Sequence, residues 1–184
     1  RALINKSLLH FQPTGRYHIH ELVRQYISEK LAQSLTVSKT IVDRHCVWYM
    51  TALQRWESGM RGSRQQDMLA QIDAEIENGR AAWDWAVDQA MIPSLALALE
   101  GLCSYYQLRG RLGEGKTACR FVIESLQDAA AAGEVAPLAH PEALSEEKQQ
   151  LLAKALIWQG VFTRLMGYAS LAGPIRAVDA DVFL

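Results

Sequence analysis

Cysteine is scarce in this chain: three residues in 184, at positions 46, 103 and 119. The odd count and wide spacing exclude a disulfide framework and a Cys-x-x-Cys metal knuckle. Each of the three lies in an apolar helical pattern, where cysteine acts as a small buried hydrophobe, and a reducing, cytoplasmic setting is expected. An excess of charge of either sign is missing too. Nineteen basic and twenty acidic residues leave a formal net charge of −1, so no global field attracts nucleic acid or an anionic membrane. No apolar run reaches the roughly 18 residues of a membrane span, and no signal-peptide pattern opens the chain. The chain also lacks an initiator Met, and we read it as a fragment of a longer protein.

What is present is ordinary for a globular chain: 49% apolar and 21% charged residues, enough for one or two small domains. Residues 3–20 read as a β-hairpin. Leu8-Leu9-His10-Phe11 and Arg16-Tyr17-His18-Ile19 flank Pro13-Thr14-Gly15, where Pro presets φ and Gly accepts a positive one. Two strands alone are not stable in water, so the hairpin is expected to pack on helices.

From residue 21 onward the apolar spacing is helical. Leu22, Val23, Tyr26, Ile27 and Leu31 share a stripe on a helix over 21–35. A second helix starts near Ser38 and carries Ile41, His45, Trp48, Tyr49, Leu53 and Trp56, with Gly59 and Gly62 breaking it. A third runs from Ser63 to Ala90, interrupted by Gly79. Pro93 suits the first turn of a fourth, which reaches Arg109. A fifth spans 113–132, the stretch 133–143 reads as a linker, and a sixth spans 144–166. Gly167 is expected to end it, with the start of another helix beyond.

Antiparallel helix pairs in succession predict a mainly α helical array. Leu99, Leu102, Tyr105, Tyr106 and Gly110, and then Leu156, Trp158, Gly160, Phe162 and Gly167, look like first helices of tetratricopeptide-like repeats. Their 57-residue separation departs from the roughly 34 of a regular array, so the repeat is degenerate. Of the five tryptophans, Trp83 and Trp85 cannot share a helix face; the set reads mostly as core, and an exposed member would be a partner anchor.

Three blocks carry a family resemblance: Arg16 to Tyr26, Leu69 to Ala86, and Tyr105 to Gly115. They resemble the STAND class of signal-transduction ATPases, which includes NB-ARC proteins and MalT-like and LuxR-type regulators. The first block is similar to the junction of a winged-helix domain with a repeat region. There a Met-His-Asp-like triplet sits, matched here by Ile19-His20-Glu21. The second is similar to a "Glu-x-x-Asn-Leu-Arg-Ala-Ala-Leu-x-Trp-Ala" helix, with Gly79 and Trp83 in place of the two leucines. The resemblance implies residues 1–35 as the end of a winged-helix domain and 36–184 as a tetratricopeptide-like region. It also implies ADP or ATP with Mg in the parent protein, held by an upstream nucleotide-binding domain that His20 contacts. None of this calls for a cofactor in the fragment itself.

Two other readings compete. Gly110-Arg111-Leu112-Gly113-Glu114-Gly115-Lys116-Thr117 fits the Gly-x4-Gly-Lys-[Ser/Thr] phosphate loop, in which Lys116 would pair with phosphate and Thr117 would hold Mg. That mechanism needs a buried strand before the loop, whereas Ser94 to Arg109 has helical spacing. The third reading is a DNA-binding winged helix, but Arg16, Arg24 and Lys30 are balanced by Glu21 and Glu29. His10, His18, His20 and His45 lack metal-ligand spacing, and no catalytic set stands out. The favoured expectation is a non-catalytic regulatory and protein-interaction module that senses a protein or small-molecule effector.

Overall fold

The computed structural model describes residues 8–11, 17–132 and 145–171, together with Ile4 and Lys6. The expected hairpin turn at Pro13-Thr14-Gly15, Arg16, the linker 133–143 and the segment beyond Leu171 lie outside the described residues. The chain forms two compact units, Arg1–Arg44 and His45–Leu184.

In the first unit, β1 (Leu9–Phe11) pairs antiparallel with β2 (Tyr17–Ile19). Leu9 lies opposite Ile19, His10 opposite His18 and Phe11 opposite Tyr17. The Phe11 and Tyr17 rings meet at 5.2 Å, the close aromatic pairing expected of facing strand positions. The chain then turns into α1 (Glu21–Ala32). His20 caps this helix: its backbone is extended, and its Nδ1 accepts the Leu22 N–H at 3.3 Å. Glu21 sits in the first turn, where a negative charge complements the helix dipole, and bonds Arg24 at 2.6 Å. The helix α2 (Leu35–Met60) begins three residues before the expected Ser38, and the division between units falls within it.

The second unit holds the later part of α2, then α3 (Gln65–Asp88), α4 (Ile92–Leu108), α5 (Leu112–Ala132) and α6 (Glu146–Leu171). Successive helices run antiparallel. Cys46 meets Ala82, Tyr49 meets Glu75 and Gly59 meets Met68 across α2 and α3. Alternate helices then form two rows. In one, α2 touches α4 where Gly101 lies under the Leu53 carbonyl, and α4 touches α6 through Glu100 and Trp158. In the other, α3 lies beside α5, with Trp83 reaching Ala118 and Ser125 reaching Val87. This is the helical array expected from the sequence, and the chain is mainly α with a short N-terminal hairpin.

The core between the rows is apolar. Met50, Leu53, Ile72, Trp83, Leu99, Leu102, Tyr105, Val122, Leu151 and Phe162 are buried in it, and no charged residue is fully buried among the described residues. Two turns share one device. After α3, Met91 N–H donates to the Ala86 carbonyl at 2.8 Å, and after α4, Arg111 N–H donates to the Tyr106 carbonyl at 2.8 Å. The residues between, Ala90 at φ 49° and Gly110 at φ 68°, take the left-handed conformation that closes such a C-terminal cap. Gly167 departs from expectation. It lies inside α6, because a glycine ends a helix only where the backbone leaves through a positive φ, and among the described glycines Gly110 alone does so.

Candidate functional site

The best candidate site is a groove of about 360 Å³ between α4 and α6. It belongs to the row made by α2, α4 and α6. Helical spacing on α6 places Lys154, Ile157, Trp158, Val161 and Arg164 on one side, and Glu100 faces them from α4. The Trp158 indole N–H donates to a Glu100 carboxylate oxygen at 3.0 Å, which fixes the ring across the groove. Below it Phe162 stacks on Trp158 at 5.6 Å and is wholly buried. Above, Ile157 is 66% exposed. Along α6 the side bearing Leu151, Ala155 and Phe162 is fully buried, while the apolar Leu156, Ile157, Met166 and Tyr168 are exposed.

A second concavity of about 300 Å³ lies among α3, α4 and α5, lined in part by Arg80, Asp84, Tyr106 and Glu114. Its lining cation, Arg80, is already engaged, and so is Arg111 on the neighbouring turn. Arg80 lies 3.3 Å from Glu77 and 3.9 Å from Glu114, and Arg111 bonds Glu114 at 2.8 Å. Burial pushes the Asp84 carboxyl up and raises the Tyr106 phenol above its ordinary range. Beside it, Asp73 accepts from Tyr105 Oη at 2.8 Å and from Arg109 Nε at 3.1 Å. Burial pushes the Asp73 carboxyl up, but those bonds and the nearby Arg109 and Arg111 charges outweigh it, so its pKa falls. These groups tie α3 to the α4–α5 turn.

The phosphate-loop residues have other partners. What precedes Gly110 is α4, and Leu112 onward is α5, so Gly113, Gly115, Lys116 and Thr117 lie in a helix that follows a helix. Gly115 N–H is spent on the Arg111 carbonyl at 3.1 Å. Glu114 brings its carboxylate to the first turn of α5, where a bound phosphate would gather. A side chain on Gly115 would meet the Phe162 ring at 2.4 Å, so packing alone accounts for that glycine.

His20 is exposed and engaged as the cap of α1. Trp83 is core, Trp56, Trp85 and Trp158 are partly buried, and Trp48 is the exposed member at 52%. The Trp158–Glu100 pair was not visible in the sequence, since its members stand 58 residues apart. Among the described residues no three His, Cys, Asp or Glu side chains cluster as a metal site, and no helix is long and apolar enough to cross a membrane. Comparisons with protein-family models, with curated proteins and with solved structures found no match to this chain.

Proposed function

We propose that this chain is a non-catalytic regulatory and protein-interaction module of a larger STAND-type signalling ATPase or transcriptional regulator. In this reading the first unit is the end of a winged-helix domain and the second is a tetratricopeptide-like sensor. The groove between α4 and α6 carries the reading: a half-buried indole held in place, an exposed isoleucine beside it, and further exposed apolar residues, Leu156, Met166 and Tyr168, along α6. Such a surface suits an effector protein, because partly buried aromatics on a rigid frame make good binding anchors. Leu22 and Tyr26 on α1, at 68% and 59% exposure, suit a helix that docks on an upstream domain. Three free, buried thiols fit a cytoplasmic setting. The resemblance of Ile19-His20-Glu21 adds nucleotide coupling through the parent's own ADP or ATP site.

A photo-crosslinker placed at Ile157 in the full-length protein tests the module. It should trap a discrete partner that the same group at Glu124, on the exposed side of α5, does not trap. An absence of product at Ile157 would overturn the reading. So would Mg-ATP binding by this chain that is lost on Lys116→Ala.

A further inference from the structure

The groove between α4 and α6 has a charge pattern as well as an apolar floor. Lys154 and Arg164 stand at its two ends, and neither makes an ion pair among the described residues. The acid opposite them, Glu100, accepts from the Trp158 N–H and keeps its charge, so the charged lining residues Glu100, Lys154 and Arg164 leave the groove one positive charge in excess. At 1.5 Å of rise per residue, the ten steps from Lys154 to Arg164 separate their Cα atoms by about 15 Å along the helix axis. Ile157, Trp158 and Val161 fill the interval. The order along α6 is therefore cation, apolar strip, cation.

Resting on the reading of this groove as the partner site, we infer that its occupant is an extended, acidic peptide segment of the form acid-x-apolar-x-acid. Three physical points select it. An open groove of about 360 Å³ takes side chains and one strand, while a helix is about 10–12 Å across and would ride above it. In an extended chain residues i, i+2 and i+4 project to the same side, so two carboxylates and the apolar residue between them all face α6. Four residues at about 3.3 Å each span about 13 Å, which the flexible Lys154 and Arg164 side chains extend to their own spacing. The apolar side chain lands against Ile157 and the face of Trp158. Arg164 takes its carboxylate through two N–H groups and Lys154 takes the other as a point charge.

The test uses fluorescein-labelled Asp-Ser-Leu-Ser-Asp and Lys-Ser-Leu-Ser-Lys peptides with the whole chain, read by anisotropy and by Trp emission. The acidic peptide should bind at least tenfold tighter than the basic one. Lys154→Glu with Arg164→Glu should reverse that order, and both positions are exposed, so helix content by circular dichroism should not change. A chain that binds both peptides alike, or a double variant that still prefers the acidic one, overturns the inference. Ile157→Ser should weaken the acidic peptide about tenfold, and an unchanged affinity would place the segment elsewhere. If crosslinking at Ile157 traps a partner while the acidic peptide fails to bind, the module reading stands and the acidic occupant falls.

Discussion

The Phe162 ring fills the space that a side chain on Gly115 would need: a Cβ built there lies 2.4 Å from one ring carbon and 2.7 Å from the next. That contact lets α5 and α6 approach over their length. Replacing Gly115 with Ala gains about 1 kcal/mol of helix preference and loses about 1–3 kcal/mol to overpacking. Because Phe162 is fully buried and cannot swing aside, the net should be a loss of up to about 2 kcal/mol in urea unfolding. Adding Phe162→Leu should cost less in that background than in the parent chain, a coupling that a double-mutant cycle reads directly.

Gly101 is the harder case. Its missing side chain would sit 2.2 Å from the Leu53 carbonyl oxygen, which is backbone, so only a shift of a whole helix relieves it. Gly101→Ala should cost about 3 kcal/mol or more. Gly160→Ala, on the same row but with nothing within 4 Å, should instead stabilise by about 0.5–1 kcal/mol. Thermal unfolding of the two variants should move in opposite directions.

Ala90 holds a positive φ without being glycine. The left-handed conformation costs an alanine about 1–2 kcal/mol, and the greater freedom of glycine in the unfolded chain returns part of any gain. Ala90→Gly should stabilise by about 0.5–1 kcal/mol, seen as a higher urea midpoint at an unchanged slope.

Burial depresses the pKa of His45 below its ordinary 6.5. A depressed folded value means that the unfolded chain binds the proton more readily. The stability contributed by neutral His45 is therefore complete above 6.5 and declines as pH falls from there through the lower folded value. His45→Gln should flatten the change in melting temperature between pH 7.5 and 5.5, and an equally steep change in the variant would contradict this.

How much of this was legible depends on how local each cause is. The helices were legible because 3.6-residue spacing is written along each segment, and Leu99, Leu102, Tyr105 and Tyr106 all landed in the core. The turn at Gly110 announced itself through a residue type, whereas the same turn at Ala90 was hidden by a side chain that tolerates the conformation at a cost. Gly167 looked like a stop and is not one, since nothing but a positive φ makes a glycine a stop. Lys154, Trp158 and Arg164 could be placed on a helix, but Glu100 could not be placed opposite them. That pairing depends on how α4 and α6 lie side by side, which no short window encodes.

The three cysteines give the molecule an internal clock. Cys46, Cys103 and Cys119 show no exposed surface, and the last two lie sulfur to sulfur at 3.6 Å between α4 and α5. Burial and the neighbouring Cys119 sulfur hold the Cys103 thiol well above its usual pKa, which further slows its attack on any reagent. A thiol-modifying dye in solution can therefore react only when the helices part, and its rate measures how often they do. A partner seated between α4 and α6 would slow that clock without touching a single cysteine.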